Sequence, residues 1–128
     1  MPLVRIDTLK GHYSDSQREA IGAAIYQSLL EVGALPDDRF QIISEKEPGT
    51  LIYGASYLNI QRTDGFVAVQ ITLNVGRSVE DKQRLYAAIA ERMGKLAQVR
   101  REDVFINLVE VPRENWSFGN GEAQYAKA

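Results

Sequence analysis

The residue that could do the most unusual chemistry is the proline that follows the initiator methionine, in the stretch Met1-Pro2-Leu3-Val4. If Met1 is removed, Pro2 carries a free secondary amine at the head of the chain. If Met1 stays, the same nitrogen is an amide that has neither basicity nor a proton to give. A proline at this position can also be incidental. The sequence therefore offers a candidate catalytic group whose chemistry depends on N-terminal processing.

The pKa of such an amine decides which chemistry it performs. An apolar pocket disfavours the ammonium form and lowers the pKa, which gives a base able to move a proton between carbon and oxygen of an enol. A nearby carboxylate holds the amine protonated, so that it can polarise a carbonyl or protonate a carbon. The protonated form suits hydration or decarboxylation of a small oxo acid. Neither route needs a metal or an organic cofactor.

Composition excludes several other chemistries. The chain has no cysteine and one histidine, which makes thiolate sites, histidine metal clusters and serine triads improbable. Its net charge is -2 with both signs interspersed, so we predict no nucleic-acid partner. No apolar run approaches the roughly 20 residues needed to cross a membrane, and the N-terminus lacks the layout of a signal peptide. We therefore predict one cytoplasmic domain of 128 residues without membrane contact.

The first half of the chain predicts a strand, a helix and a second strand. Alternation over Leu3–Leu9 indicates the first strand, and the solvated turn after it contains His12 and Tyr13. Ser14-Asp15-Ser16-Gln17 has the form of a capping box at a helix start. Arg39–Ser44 reads as the second strand. The helix should bury a stripe of residues at helical spacing, namely Ile21, Ile25, Leu29 and Val32.

The second half repeats this order after a connection. Phe66–Val75 is the strongest strand pattern, with Val75 on its apolar side, and a helix is predicted after Ser78. Val104–Val109 is the last long strand. The connection Leu51–Arg62 is predicted to contain short strands around Gly54, with an ordered connection as the alternative. The second helix should bury a stripe made of Leu85, Ile89, Met93 and Leu96.

Matching positions recur at a nearly constant offset, which indicates an internal repeat. Gly11, Ser14, Ile21, Ile25, Asp38, Phe40 and Glu45 correspond to Gly76, Ser78, Leu85, Ile89, Asp103, Phe105 and Glu110. A helix between two strands is the crossover that parallel pairing requires. We therefore predict an α/β (α+β) fold made of tandem β-α-β units, at about 2–47 and 66–111, with a C-terminal tail at 112–128. It should form a four-stranded mixed sheet with two helices on one face. The strongly apolar opposite face should be covered by self-association.

The residues resemble the tautomerase superfamily over nearly the whole chain, and within it the malonate semialdehyde decarboxylase-like branch. The resemblance rests on four motifs in order, Met1-Pro2-Leu3, Gly33-x-x-Pro36-x-Asp38-Arg39-Phe40-Gln41, Arg77-Ser78-x-Glu80-x-Lys82-Gln83 and Trp116-Ser117-Phe118-Gly119. It implies a homotrimer whose sheets face inward, with Pro2 as the catalytic residue of each site.

The resemblance also implies roles for other residues. Asp38 matches the aspartate that works beside the catalytic proline, and Trp116 and Phe118 match apolar walls of the substrate pocket. Taken without the resemblance, Asp38 can also be a turn residue beside Asp37, and the two aromatic residues can be plain packing. The resemblance thus turns ordinary residue types into candidate site residues.

A carboxylate-binding pair of arginines in the decarboxylase pattern is incomplete in this chain. Arg77 aligns with one of them, whereas the partner position is Val75. A bidentate clamp supplies both energy and orientation, so this departure leaves the decarboxylase substrate open. Small oxo or enol carboxylic acids are the expected substrates, by tautomerisation, hydration or decarboxylation.

Two functions without turnover compete with this interpretation. One is a non-catalytic trimeric binding protein with a degenerate tautomerase pocket, for which Val75 is the best argument. The other is a small-ligand sensor that binds oxo acids in the same pocket. Retention of Met1 would favour the non-catalytic protein over the enzyme.

Overall fold

The computed structural model describes residues 2–126. Met1, whose removal the proposed chemistry requires, and 127–128 at the end of the predicted tail lie outside the described residues. The main elements follow the chain as β1 (Leu3–Leu9), α1 (Asp15–Leu30), β2 (Phe40–Lys46), β3 (Val67–Asn74), α2 (Val79–Ala97) and β4 (Val104–Val111). Neither helix within residues 2–126 is long and apolar enough to cross a bilayer.

The sheet has the strand order β2-β1-β3-β4. β1 pairs in parallel with β2, β3 pairs in parallel with β4, and the antiparallel pair β1–β3 joins the two β-α-β units at the centre. α1 and α2 pack against each other on one face of this sheet. The predicted four-stranded mixed sheet with two helices on one face is therefore confirmed.

Both helices begin at the serines that the sequence singles out. Ser14 Oγ accepts from the backbone N–H of Gln17 at 3.1 Å, and Gln17 Oε1 accepts from the Ser14 N–H at 2.9 Å, which completes the predicted capping box. Ser78 Oγ accepts from the N–H of Asp81 at 3.1 Å. The two units thus use the same local chemistry to turn from strand to helix.

The core lies between the helices and one face of the sheet, and two predicted core residues need correction. Leu96 is 50% exposed, because the buried stripe of α2 continues from Met93 to Ala97, four residues on. Val32 lies beyond the end of α1, although it packs against the core from the following turn. Within the core the β3 side chains Val67, Val69, Ile71 and Leu73 meet the helical side chains Ile21, Ile25, Leu29, Leu85, Ile89 and Met93.

The prediction of short strands over Leu51–Arg62 is wrong. This segment contains a 3-10 turn at Tyr57–Asn59, where Leu58 and Asn59 have φ values of 58° and 61° that a strand does not adopt. Arg62 closes the loop into a turn, because its Nη1 donates to three main-chain carbonyls. The acceptors are Gly54 at 2.7 Å, Tyr57 at 3.1 Å and Ile60 at 3.3 Å.

The turn after β1 is also more ordered than predicted. Tyr13 is buried, and its hydroxyl donates to the carbonyl of Gly65 at 2.5 Å. Asp103, equally buried, accepts from the Thr63 N–H at 2.7 Å and from the Thr63 hydroxyl at 2.6 Å. Burial and the Asp103 carboxylate raise the pKa of Tyr13 to about 12. These contacts tie the long connection to the end of the sheet where β1 finishes.

The uncovered sheet face is less apolar than predicted. The apolar side of β3 is the side that the helices bury, whereas its open side carries Ala68, Gln70 and Thr72. In register with Gln70 lie Arg5 and Asn107, so a polar row crosses the open face. Exposed apolar side chains flank this row on the outer strands, namely Phe40, Ile42, Phe105 and Val109.

Candidate active site

Pro2 lies at the head of β1 and is buried. The next residue, Leu3, pairs with Phe40 at the start of β2 and with Thr72 near the end of β3. Pro2 therefore sits at the end of the sheet where β1 and β2 begin and where β3 and β4 finish. Strand topology brings residues that are distant in sequence to this one end.

Asp38 lies two residues before Phe40, at the same end of the sheet as Pro2. It is half-buried, whereas its neighbour Asp37 is exposed. Asp37 has a φ of 67° and donates its N–H to the Tyr26 hydroxyl at 3.1 Å, so Asp37 carries the turn geometry. The Asp38 N–H donates to the Leu35 carbonyl at 3.2 Å. Of the two aspartates, Asp38 is therefore the less exposed.

Arg77 lies three residues after the end of β3 and is half-buried. Its Nε donates to the Val32 carbonyl at 3.1 Å, and its Nη1 donates to the Asn74 carbonyl at 3.4 Å. The ion pairs formed within residues 2–126 do not include Arg77. Its guanidinium is thus held by neutral oxygens, which orient the charge without cancelling it.

Val75, predicted on the apolar side of β3, lies past the strand end and is 58% exposed. Its N–H donates to the Val111 carbonyl at 3.1 Å, which fixes the backbone there. The position is therefore ordered, but its side chain supplies no second cation beside Arg77.

The tail places an aromatic group at this end of the sheet. The rings of Trp116 and Phe118 stack with centroids 5.5 Å apart and an interplanar angle of 9°. Phe118 also contacts Phe40, at 6.0 Å between centroids, and Tyr125, at 5.0 Å in an edge-to-face arrangement. Because Phe40 pairs with Leu3, this aromatic group lies at the same end of the sheet as Pro2.

Asn74 is a residue of this region that sequence reasoning missed. It ends β3, is 3% exposed, and its Oδ1 accepts from the Trp116 indole Nε1 at 2.7 Å. Strand alternation predicts Asn74 on the side of β3 opposite its apolar residues, with Gln70 and Thr72, where a polar side chain is ordinary. The available signal was its position three residues before Arg77, at the end of the strand.

The structure thus gathers a buried proline, a half-buried carboxylate, a guanidinium bound by neutral carbonyls and a group of aromatic rings at one end of the sheet. Groups of these types can bind a small carboxylate, shield it from water and exchange a proton with it. Within residues 2–126 no cluster of three or more His, Asp or Glu side chains is arranged to hold a metal ion.

Two β-α-β units that share one mixed sheet, with a proline at the head of the first strand, define a class of small α+β proteins. A family model for tautomerase enzymes matches residues 38–119. The chain is 40% identical over 125 residues to the probable tautomerase YusQ of Bacillus subtilis (strain 168), which covers 97% of this chain and 98% of YusQ. This chain belongs to the tautomerase family.

Two solved structures show which branch of the family this chain is related to and which fold it shares. FG41 malonate semialdehyde decarboxylase, in a crystal structure inhibited by 3-bromopropiolate, superposes with a TM-score of 0.88 at 40% identity, covering 96% of this chain and 93% of that one. A symmetric trimer of wild-type fused 4-OT has the same fold, with a TM-score of 0.76 at 21% identity, covering 96% and 97%. The chain is thus a tautomerase-type enzyme related to malonate semialdehyde decarboxylase, which confirms the resemblance drawn from its motifs.

Proposed function

We propose that this protein is a cofactor-independent enzyme whose free N-terminal Pro2 amine transfers a proton on small oxo or enol carboxylic acids. The reaction is a tautomerisation, a hydration or a decarboxylation. The observation that carries the proposal is the burial of Pro2 at the sheet end shared by Asp38, Arg77 and the aromatic tail. Once Met1 is removed, an amine that shares this end of the sheet with a cation and a carboxylate has a perturbed protonation equilibrium, as proton-transfer catalysts require.

Arg77 is the proposed carboxylate ligand. A guanidinium oriented by the carbonyls of Val32 and Asn74 keeps donors for an anion, and charge-assisted contacts to a carboxylate are short and strong. The same cation stabilises enolate charge that develops during the reaction. Trp116 and Phe118 supply the apolar wall, which favours a small substrate and strengthens the electrostatic contacts by excluding water.

Asp38 is proposed to select the direction of proton transfer. An ionised carboxylate near the Pro2 amine favours the ammonium form, which polarises a carbonyl or protonates a carbanion. This protonated form suits hydration and decarboxylation of a 3-oxo acid. The neutral amine, favoured by the apolar surroundings, suits enol–keto tautomerisation, so the balance between Asp38 and burial sets the preferred reaction.

We propose that the active form is a homotrimer. The open sheet face presents Phe40, Ile42, Phe105 and Val109 to solvent on either side of the Arg5–Gln70–Asn107 row. Covering these apolar side chains with a second copy removes them from water. The fused 4-OT structure of the same fold is a symmetric trimer, which supports this assembly.

The test is a panel of enol-pyruvates, acetylenic acids and 3-oxo acids, assayed with the processed protein and with Pro2→Ala. Intact mass establishes whether Met1 is absent. The processed protein should turn over at least one class, whereas Pro2→Ala and protein that keeps Met1 should be inactive. Exposure to 3-bromopropiolate, which inhibits the FG41 relative, should abolish the activity. Equal turnover by Pro2→Ala on the best substrate contradicts the proposal.

The second candidate is a trimeric protein that binds carboxylic acids in a degenerate pocket without turning them over. Val75 favours it, because the decarboxylase pattern has a second arginine at that position. The two candidates differ in one measurement. A binding protein retains carboxylate affinity in Pro2→Ala and shows no turnover in the wild type, whereas the enzyme loses turnover in Pro2→Ala.

A further inference from the structure

Asn74 contacts two separate parts of the candidate site through different atoms. Its side-chain Oδ1 accepts from Trp116 Nε1 at 2.7 Å, and its main-chain carbonyl accepts from Arg77 Nη1 at 3.4 Å. We infer that Asn74 is a positioning residue that fixes Trp116 relative to Arg77 and thereby sets the affinity of the pocket for a small carboxylate. The inference rests on the proposed function, because it assumes that Arg77 and Trp116 line that pocket.

The tail needs such a connection, because ring stacking alone does not fix the indole. Trp116 meets Phe118, and Phe118 meets Phe40, through contacts that tolerate sliding. The Phe118 N–H donates to Gln124 Oε1 at 2.9 Å, and Gln124 Nε2 donates to the Gly119 carbonyl at 2.8 Å, so these bonds stay within the tail. The bond from Trp116 to Asn74 is directional and joins the tail to the sheet.

Asn74 is well placed to act as an anchor. It ends β3 and pairs in register with Val111 of β4, so its backbone belongs to the rigid sheet. At 3% exposure, its amide meets little competing water. A second bond, from Arg77 Nε to the Val32 carbonyl, completes the orientation of the guanidinium. Trp116 and Arg77 are therefore both hydrogen-bonded to the same residue of the sheet.

Asn74 binds Trp116 through its side chain and Arg77 through its main chain, so a substitution can remove one contact and keep the other. Replacing the Asn74 side chain removes the acceptor for Trp116 but leaves the carbonyl that Arg77 uses. Asn74→Leu has a similar volume and no acceptor, whereas Asn74→Asp retains an acceptor oxygen. Asn115→Leu is a matched control, since Asn115 precedes Trp116 and is exposed.

The measurement uses the single tryptophan of the chain, whose indole gives one N–H signal in a nitrogen–proton NMR spectrum. In the wild type and in Asn115→Leu this N–H should exchange slowly with solvent. In Asn74→Leu the signal should shift and exchange at least about tenfold faster, whereas Asn74→Asp should retain protection.

A second measurement titrates each protein with malonate. Asn74→Leu and Trp116→Phe should each weaken malonate binding about tenfold, the factor that 1.4 kcal/mol represents. Asn74→Leu combined with Trp116→Phe should weaken binding no further, because both changes remove the same contact.

An unchanged indole signal in Asn74→Leu overturns the inference, and so do additive losses in the double variant. Wild-type affinity for malonate in Asn74→Leu overturns it while the proposed function stands. A wild-type protein that binds no malonate overturns the carboxylate pocket, and with it both this inference and that part of the proposed function. If Asn74→Leu does not fold, loss of indole protection in Asn74→Asp overturns the inference by itself.

Discussion

Arg77 Nε donates a hydrogen bond to the main-chain carbonyl of Val32 over 3.1 Å, which joins the loop before α2 to the turn after α1. The acceptor is neutral, and within residues 2–126 no carboxylate pairs with this guanidinium. A cation that is oriented but not neutralised is suited to bind an anion that arrives from solvent.

Arg77→Ala should therefore weaken every reaction of a carboxylate substrate. Loss of a charge-assisted contact costs about 1.5–3 kcal/mol, so kcat/KM should fall roughly tenfold to a hundredfold. Arg84→Ala is the control, because Arg84 is an exposed arginine on α2 that pairs with Asp81. Equal kcat/KM values for the two variants in steady-state kinetics would show that Arg77 does not bind the substrate.

Asp38→Asn should separate the two proline chemistries. Removing an opposite charge lowers the pKa of the Pro2 amine, so a larger fraction is the free base at neutral pH. Hydration or decarboxylation should fall steeply, whereas tautomerisation of an enol-pyruvate should survive or rise. The measurement is a pH–rate profile for each reaction, together with titration of Pro2 by nitrogen NMR.

Asp37→Asn provides the matched control for that experiment. Asp37 is exposed and its φ of 67° is one that asparagine tolerates, so the turn should be retained. The amine pKa should move in Asp38→Asn and stay in Asp37→Asn. The same Pro2 pKa in the wild type and both variants would show that Asp38 does not act on the amine and serves only as a turn residue.

Phe105→Glu should dissociate the proposed trimer. Phe105 is 49% exposed on the open sheet face, and a buried unpaired charge at an interface costs several kcal/mol. Leu96→Glu adds the same charge at a similarly exposed position of α2, away from that face, and should leave the assembly intact. Sedimentation velocity at micromolar concentration distinguishes them, and a wild-type monomer under these conditions contradicts the proposed assembly.

Asp103→Ala should destabilise the fold. The change leaves the Thr63 N–H and the Arg100 guanidinium without their buried acceptor, at a cost of about 2–4 kcal/mol. Glu102→Ala removes an exposed neighbour that also pairs with Arg100, and should change the free energy of unfolding by less than about 0.5 kcal/mol. Urea unfolding measures both, and equal midpoints would exclude a stabilising role for Asp103.

Tyr13 should make stability fall at high pH. Its pKa is raised to about 12 in the folded state, so its contribution is complete below pH 10 and is lost as pH rises from about 10 to 12. The loss is on the order of 2–3 kcal/mol. Comparison with Tyr13→Phe isolates this effect, because the other tyrosines and the lysines titrate in both proteins. Parallel pH–stability curves would contradict it.

Local patterns were enough to predict most of the fold. Capping at Ser14 and Ser78, the alternation of β3 and the repeat of strand, helix and strand together require two parallel crossovers. The loop over Leu51–Arg62 was mispredicted because its apolar residues suggest strands, whereas hydrogen bonds from the Arg62 side chain to three carbonyls earlier in the same loop hold a turn. Leu96 was misplaced because only packing decides which residue of the last helical turn faces the core.

The sequence by itself showed that a proline follows Met1 and that two β-α-β units recur. Its motifs, through their resemblance to a known family, made Asp38, Arg77, Trp116 and Phe118 candidates for the same site as Pro2. Tertiary structure alone decided that these residues share one end of the sheet, because strand pairing joins Leu3 to both Phe40 and Thr72. It alone showed the link from Asn74 to Trp116, a contact across 42 residues that no local pattern encodes. Propensity and periodicity act over a few residues, whereas the geometry of a site depends on which distant residues the packed sheet brings together.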